Sequence, residues 1–399
     1  MRKTEKPIRV LYSFPHKLGA DRICYTAWQQ VNGLAKAGVE VHVRTGALQR
    51  EVPPGVSVQS TLARGKFRVP YTLLGSMRAF ALHDWLVARE LESLNGNIDI
   101  VHTWPLGAVK TLRKAAELGI PTVLERPNAH TRYAYESVQR ECQRIGVSLP
   151  PRHEHAYKQD VLDKEEEEYR SAYRLLCPSE FTLKTFSDEG YPREQLVRHI
   201  YGFDEQLYYP DPNKTQASRN GLTMLFVGVC AVRKGVHFAL EAWLKSPASQ
   251  DGTLLIAGEF LPAYRDKLAP LLAHPSIKVL GHRRDVPDLM RKADVLVLPS
   301  IEEGFGLVCT DAIGSLCVPL VSEACTDLCK HMENALVHQI GDVDTLTQHI
   351  SLVYKDRELL DKLRDGCKKS APNCTWTAAG VRLAEAYKSV IEEMDAARK

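Results

Sequence analysis

One pattern constrains the fold of this sequence more than any other. Short apolar runs rich in β-branched residues recur along the chain, and a turn signal and a helical stretch follow each run. The runs in the first half are 8–14, 39–46, 98–104, 121–127 and 174–179, and those in the second half are 223–229, 253–259, 277–281, 294–300, 319–323 and 334–340. Their nearly continuous apolar character is typical of strands buried on both faces. The alternation of strand and helix therefore predicts parallel sheets joined by right-handed crossovers.

The series of runs occurs twice, which indicates two domains. A segment rich in Pro, Asn and Asp separates the two series at 201–221, and 399 residues suit two cores better than one. We predict two doubly wound α/β domains, 1–205 and 206–379, that face each other across a cleft. A terminal helix over 380–399 is expected to pack back on the first domain. Ligands of such sheets bind outside the carboxyl ends of the strands, so the loops there are the first candidates for a site.

Charge and composition argue against several classes of protein. The net charge of +3 is too balanced to indicate nucleic acid as a partner. No signal-peptide pattern and no apolar run of about eighteen residues occurs, so we predict a cytoplasmic protein without a membrane-spanning helix. The ten cysteines form no Cys-x-x-Cys pair and are expected to be reduced, buried thiols. Asp342 and Asp344 form an Asp-x-Asp that we interpret as a loop and helix start, and we predict no metal site.

The loop that follows the run 294–300 combines carboxylates with a Gly-Phe-Gly sequence, in PSIEEGFGLVCTDAIG (299–314). A helix is predicted to begin near Leu307, and a helix N-terminus suits an anion such as a phosphate. Glu303 and Asp311 have seven residues between them, close to two helical turns, so both carboxylates could face one side. Carboxylates accept hydrogen bonds and suit the vicinal hydroxyls of a sugar or a ribose. The alternative is that Glu303 caps the helix and Asp311 is merely solvated.

A second anion signal lies upstream, in LFVGVCAVRKGVHFALEAW (225–243). Arg233 and Lys234 stand between a predicted strand and a predicted helix, where two cations could neutralise a departing diphosphate. A solvated basic loop is the alternative. Because both signals lie at carboxyl strand ends of the same domain, together they favour a sugar-nucleotide site.

The arrangement PSxxEGFGxxxxD, preceded by FVGxxxxRKG, resembles the retaining glycosyltransferases of family GT4, which have two Rossmann-like domains in the GT-B fold. The resemblance covers nearly the whole chain. It extends through LGADRICYTAWQQVNGLAKAGVEVHV (18–43), IDIVHTW (98–104), RLLCPSEFT (174–182) and GDVDTLTQHI (341–350). It implies transfer of a sugar from a nucleotide-diphosphate sugar to a hydroxyl acceptor, with retention, in the synthesis of a cell-envelope polysaccharide or glycolipid.

The resemblance also implies roles for individual residues. Four are predicted to be catalytic: Glu303 would hold hydroxyls of the donor sugar, Arg233 and Lys234 would neutralise the diphosphate, and His130 would lie beside the transferred sugar. Asp311 would bind the ribose hydroxyls. Because the cations and the helix N-terminus can stabilise the leaving group, no metal ion or other cofactor is expected. The other residues predicted to bind the donor are Gly19, Gly304, Phe305, Gly306, Leu307 and, around the base, Arg283.

The chain departs from the family pattern at three positions. Asp311 stands where Glu is usual, Val229 where many members carry Arg, and Ala20 where a second Gly is common. These departures leave open a sugar-nucleotide-binding or regulatory module without catalysis, and a nucleotide-sugar epimerase or phosphorylase on the same architecture is a further alternative, although no pyridoxal-binding lysine motif is evident. A dehydrogenase is disfavoured because no Gly-x-Gly-x-x-Gly follows the first strand. For His130, a purely structural role is the alternative.

The segment 64–85 gives an indication of which kind of acceptor the protein uses. It mixes Arg and Lys with Phe, Tyr, Leu and Trp. This mixture is typical of a surface that lies on an anionic membrane and admits a lipid-linked acceptor, and equally of an amphipathic helix packed on the first sheet. The predicted partners are therefore a nucleotide-sugar donor and a saccharide or lipid-linked acceptor. If the segment lies on an anionic membrane, the protein is also expected to contact the inner face of the membrane peripherally.

Overall fold

The computed structural model describes residues 6–64, 67–68, 75–211 and 221–398. The predicted separator 201–221 and the predicted membrane segment 64–85 therefore lie partly outside the described residues. Two parallel sheets with helices on both faces form the fold. This confirms the predicted architecture of two doubly wound domains.

The first sheet occupies the first half of the chain. The strands there are β1 (Arg9–Leu18), β2 (Glu40–Leu48), β3 (Ser57–Ser60), β4 (Ala63–Arg64), β5 (Phe67–Arg68), β6 (Ile100–Thr103), β7 (Thr122–Glu125), β8 (Arg174–Cys177) and β9 (Leu196–Arg198). The helices are α1 (Ile23–Lys36), α2 (Ser76–Leu94), α3 (Val109–Glu117), α4 (Thr131–Ile145), α5 (Gln159–Ser171) and α6 (Glu180–Asp188). β4 and β5 pair with each other, and the others form a seven-stranded parallel sheet in the order β3-β2-β1-β6-β7-β8-β9.

The second sheet repeats this plan. Its strands are β10 (Thr223–Val227), β11 (Thr253–Ala257), β12 (Ile277–Gly281), β13 (Val295–Leu298), β14 (Val318–Ser322) and β15 (Leu336–His338). The helices that follow are α7 (Val236–Lys245), α8 (Pro262–Leu272), α9 (Val286–Lys292), α10 (Leu307–Gly314), α11 (Val343–Lys355), α12 (Arg357–Ser370) and α13 (Trp376–Ala397). The six strands are parallel in the order β12-β11-β10-β13-β14-β15. The strand order reverses between β10 and β13, so the loops after these two strands border a crevice of the kind that binds ligands.

The burial of a strand explains whether it could be predicted from the sequence. Each predicted apolar run overlaps a strand, and the central strand β13 is buried at every position. The edge strand β3 alternates exposed and half-buried residues, and β9 has only three residues. Neither β3 nor β9 was predicted, because a strand that alternates in exposure or has only three residues lacks the continuous apolar signal of a strand covered on both faces.

The last helix, α13, packs on the first half of the chain. Gly33 of α1 and Gly380 of α13 allow the two backbones to touch, because a Cβ built on Gly380 would lie 2.3 Å from the carbonyl carbon of Gly33. The Tyr387 hydroxyl lies 2.5 Å from Nδ1 of the buried His102. The chain thus crosses from the first sheet to the second and returns at its end.

Candidate active site

Two loops at the crevice of the second sheet contact each other. One is the 3₁₀ turn Val232–Lys234, after β10, and the other is the loop 299–306, after β13. The backbone N–H of Ile301 donates to the carbonyl oxygen of Arg233 at 2.9 Å. Gly235 adopts φ 66° at the start of α7, and a Cβ there would lie 2.0 Å from a backbone carbonyl oxygen of the other loop. Only glycine fits this approach, which fixes the two loops against each other.

Three of the four residues predicted to be catalytic meet where these loops touch. Lys234 Nζ is paired with Glu303 Oε1, and Arg233 Nη1 lies 3.4 Å from Glu303 Oε2. Ser300 Oγ donates to Glu303 Oε1 at 2.9 Å. Burial alone would raise the pKa of Glu303, but the charges of Lys234 and Arg233 outweigh it and leave the pKa below its ordinary value. The predicted acid is therefore ionised and neutralised by the predicted cations.

The sequence did not single out Glu302, which is completely buried beside this cluster. Its carboxylate accepts the backbone N–H of Ala129 at 3.1 Å and lies 3.3 Å from both His155 Nε2 and Arg233 Nη1. Burial would raise the pKa of Glu302, but the charge of Arg233 and the hydrogen bond from His155 lower it to about 2. The one signal for Glu302 in the sequence was that two Glu residues stand before Gly304. The family resemblance assigned a role only to the second of them, Glu303.

Gly304 lies against the first half of the chain. A Cβ built on Gly304 would lie 1.6 Å from the carbonyl oxygen of Pro127. The carbonyl oxygen of Gly304 accepts Ser179 Oγ at 2.6 Å and Thr182 Oγ1 at 2.9 Å. The absence of a side chain at Gly304 therefore lets the two halves approach.

The next three residues of the loop carry the chain into α10. The Phe305 ring is buried and packs edge-on against Tyr201, with ring centroids 5.3 Å apart. Gly306 adopts φ 69°, a conformation that favours glycine, and caps α10, whose first residue is Leu307. The predicted helix start is confirmed. α10 has eight residues, and its N-terminus follows directly from the loop that carries Glu303.

Asp311 lies one turn into α10 and has different partners from Glu303. Its carboxylate is hydrogen-bonded to the Tyr208 hydroxyl. Burial raises the pKa of Asp311 well above its ordinary value, and the charge of Asp204 raises it further. Among the contacts of the described residues, the partners of Asp311 and those of Glu303 do not overlap.

His130, the fourth residue predicted to be catalytic, lies in the first half of the chain. It caps α4, with Nδ1 accepting the backbone N–H of Arg132 at 3.3 Å. Burial, together with the charges of Arg126 and Arg132, lowers the pKa of His130 to about 3, so the ring is neutral. It borders a cavity of about 470 Å³ lined by residues of the first half. The rings that contact it are those of Tyr169, Phe186 and Tyr191.

The structure places Gly19 and Arg283 in other loops. Gly19 follows β1 with φ 80°, and its carbonyl oxygen accepts Arg50 Nε at 2.8 Å. Arg283 follows β12, is exposed, and forms two hydrogen bonds with Asp285, at 2.8 and 2.6 Å. The structure thus brings Arg233, Lys234 and Glu303 into contact and gives Gly19 and Arg283 other partners.

In the parts of the chain that the structure describes, no group of three or more His, Cys, Asp or Glu residues is arranged to hold a metal ion. Asp342 caps α11 by accepting the Thr345 N–H at 2.9 Å, and Asp344 lies 3.3 Å from Lys245, so the predicted helix start at the Asp-x-Asp is confirmed. In the same residues, no helix has the length and apolarity needed to span a bilayer.

Comparison with known sequences identifies relatives of both halves. The family model "Glycosyltransferase Family 4" matches residues 25–203, and "Glycosyl transferases group 1" matches residues 221–356. A D-inositol 3-phosphate glycosyltransferase of Paenarthrobacter aurescens is 26% identical over 70% of this chain and 70% of its own length. The lipopolysaccharide glucosyltransferase WaaG of Escherichia coli is 28% identical over 44% of this chain and 46% of its own.

Solved structures show the same fold. HepE of Anabaena, solved in complex with UDP, superposes with a TM-score of 0.66 at 17% identity, covering 96% of this chain and 100% of its own. WaaG, described as a glycosyltransferase involved in lipopolysaccharide biosynthesis, gives a TM-score of 0.64 at 15% identity over 94% of this chain and 98% of its own. With both halves matched by family models and the GT-B fold in place, the chain belongs to the family 4 type of glycosyltransferases.

Proposed function

We propose that this protein transfers a hexose from a nucleotide-diphosphate sugar to a hydroxyl acceptor, with retention and without a metal ion. The cluster of Arg233, Lys234 and Glu303, at the point where the strand order of the second sheet reverses, is the observation that carries the proposal. Cations at this position suit a diphosphate, and an ionised carboxylate suits sugar hydroxyls. HepE, whose structures contain UDP and UDP-glucose, supports a nucleotide sugar as donor.

In the proposed reaction, the diphosphate competes with Glu303 for Arg233 and Lys234. As the bond between sugar and diphosphate breaks, the two cations and the N-terminus of α10 stabilise the negative charge on the leaving group. Glu303, released from part of its ion pairing, accepts hydrogen bonds from the sugar hydroxyls. The acceptor hydroxyl attacks from the same face as the departing diphosphate, and a donor phosphate oxygen takes its proton.

We assign donor binding to the second domain, 206–379, and acceptor binding to the first, 1–205, with the return helix packed on the first. Asp311 binds the ribose hydroxyls after it exchanges its hydrogen bond with Tyr208 for the ligand. His130, neutral and bordering its own cavity, contributes from the acceptor side.

We further propose a saccharide or lipid-linked acceptor in cell-envelope polysaccharide or glycolipid synthesis, reached at the cytoplasmic face of a membrane. The relative WaaG, a lipopolysaccharide glucosyltransferase, supports this class of acceptor. α2 exposes Met77 and Trp85, which are 37% and 39% accessible, and Arg89 lies over the Trp85 ring at 4.7 Å. Exposed apolar side chains beside cations suit an anionic lipid surface.

A thermal-shift panel of UDP-, GDP- and ADP-sugars tests the donor, because a ligand of the native state raises its melting temperature. We expect one nucleotide class to raise the melting temperature and its sugar donor to be hydrolysed slowly without acceptor. No shift with any nucleotide sugar would refute the proposal. A shift without hydrolysis or transfer would identify a binding module in place of an enzyme.

A further inference from the structure

Glu302 belongs to the second half of the chain, yet the first half supplies two of the groups that surround its carboxylate. The four residues Ala129, His155, Arg233 and Glu302 are here called the Glu302 cluster. Ala129 precedes α4, and His155 lies between α4 and α5. Because a carboxylate only accepts hydrogen bonds, Nε2 of His155 carries the proton in the 3.3 Å contact with Glu302.

Contact between the two halves keeps this buried charge compensated. Glu302 and His155 are 0% and 8% exposed, respectively. Removing one partner of a buried charge is costly because the remaining charge is left without compensation. If the halves separated, Glu302 would lose the Ala129 N–H and His155 and keep Arg233. The carboxylate would then be free to re-orient with its one remaining cation.

Local hydrogen bonds hold the segment that carries His155. The backbone N–H of His155 donates to Nδ1 of His153 at 3.1 Å. Lys158 Nζ donates to the carbonyl oxygen of His153 at 3.2 Å. Since these bonds lie within the segment, His155 can keep its orientation when the halves part.

Arg233 links the Glu302 cluster to the donor site. Its Nη1 donates to the carbonyl oxygen of Glu302 at 2.9 Å and lies 3.3 Å from the Glu302 carboxylate and 3.4 Å from that of Glu303. One guanidinium is therefore shared between a carboxylate that contacts the first half and a carboxylate of the donor site. Glu302 therefore contacts Arg233 through both its carbonyl oxygen and its carboxylate.

We propose that Glu302 is a positioning residue, through which contact of His155 and Ala129 sets the orientation of Arg233 toward the donor diphosphate. The inference rests on the proposed function, because it assigns Arg233 to the leaving group. Its consequence is that the leaving group is fully stabilised only when the halves are together. While the cleft is open to water, the leaving group is not fully stabilised, so hydrolysis of the donor is suppressed.

The test uses Glu302→Gln, His155→Ala and the double variant in the full-length protein. The donor is the nucleotide sugar that the wild-type protein uses. We expect kcat for transfer to fall about tenfold or more in each single variant, since small displacements of catalytic groups carry large penalties. The ratio of donor hydrolysis to transfer should rise, while KM for the donor changes little. Residues that act as one unit are not additive, so the double variant should be no worse than Glu302→Gln.

Glu136→Gln is the matched control, because it removes a carboxylate from an exposed position of α4. It should leave kcat and the hydrolysis ratio unchanged. A merely structural role for Glu302 would lower the melting temperature without changing that ratio, and this result would overturn the proposal. Losses that multiply in the double variant would also overturn it. Because His155→Ala leaves Glu302 in place, it provides the same test if Glu302→Gln does not fold.

A physical measurement separates this inference from the proposed function. Small-angle X-ray scattering reports the separation of the halves whether or not sugar is transferred. We expect a larger radius of gyration for Glu302→Gln and His155→Ala than for the wild type and Glu136→Gln. If the wild type transfers no sugar, the proposed function fails and scattering still decides whether the cluster joins the halves. Identical scattering of all four proteins would show that it does not.

Discussion

Glu141 on α4 and His237 on α7 are hydrogen-bonded across the two halves, with Oε1 and Nε2 2.8 Å apart. Apolar contacts accompany this hydrogen bond, since Val138 and Cys142 on the same helix pack in the hydrophobic core of the second half. α4 thus belongs to the first half by sequence and contributes to the core of the second. The interface beside the Glu302 cluster is therefore a packed one.

The hydrogen bonds of Glu141 predict a pH dependence of stability. Burial would raise the pKa of Glu141, but hydrogen bonds from His237 and Arg144 lower it from 4.5 to about 2. A depressed carboxylate pKa stabilises the fold above the ordinary pKa, and this contribution is lost as the pH falls through the folded-state value. Glu141→Gln should cost about 2 kcal/mol of unfolding free energy at pH 7, and the difference should shrink between pH 4.5 and about 2. Urea unfolding at a series of pH values measures it.

Glu136→Gln, on the exposed side of the same helix, serves as the control and should show neither effect. A difference between Glu141→Gln and wild type that stayed constant down to pH 2 would contradict the assignment of these hydrogen bonds to an ionised Glu141.

Removal of both donor-site cations should suppress turnover, and it should also lower stability because the buried carboxylates of Glu302 and Glu303 lose their cations. In the double variant Arg233→Ala/Lys234→Ala, we expect transfer to fall about a hundredfold or more, the scale for losing groups that stabilise developing charge. Circular dichroism checks the fold, and a coupled assay of nucleotide release measures the rate. Lys245→Ala is the control, since this lysine is exposed and pairs only weakly with Asp344, at 3.3 Å. Normal transfer by the double variant would rule out the proposed role.

Gly304→Ala tests the approach of the two halves. The new Cβ would lie 1.6 Å from the Pro127 carbonyl oxygen, so the halves must move apart or the loop must rearrange. We expect both sheets to fold and transfer to fall about a hundredfold, because the catalytic groups are displaced. Gly55→Ala is the control: φ is 88° there but no atom lies within 4 Å of the new Cβ, so it adds local strain alone. Equal activities of the two variants would refute this interpretation of Gly304.

Tyr387→Phe tests how firmly the last helix is held. The substitution removes the hydroxyl that lies 2.5 Å from Nδ1 of His102 and leaves a buried ring nitrogen without a partner. We expect a loss of about 1 to 3 kcal/mol of unfolding free energy, measured with urea. Ser389→Ala, at an exposed position of α13, should change it far less. Equal stability of the two variants would mean that the Tyr387 hydroxyl contributes nothing.

Exposed side chains of α2 predict binding to anionic vesicles. Trp85→Ala/Arg89→Ala should reduce co-sedimentation with vesicles that contain an anionic lipid at low salt, and raising the salt should weaken binding of the wild type. Arg113→Ala removes an exposed cation from α3 and is the matched control. If the wild type does not sediment with the vesicles, the helix serves packing alone.

The fold followed from the sequence because the strands of a doubly wound sheet are apolar on both faces. The site followed less completely. The cluster of Arg233, Lys234 and Glu303 could be predicted because glycines and charged residues follow β10 and β13. Its members are close in the chain or lie on adjacent loops. His155 and Glu302 are separated by more than a third of the chain, so only the approach of the two halves makes them neighbours. The orientation of the His130 ring likewise depends on packing against α5 and α6, which no local pattern encodes.

The return of α13 to the first sheet has a consequence for biosynthesis. The ribosome makes the first half early, but the helix that covers α1 and provides the partner of His102 emerges only after the second half. The amino-terminal sheet therefore keeps part of its apolar surface uncovered until α13 has been translated. Nascent chains stalled before Trp376 should be bound by chaperones and cleaved by proteases more readily than chains released at full length.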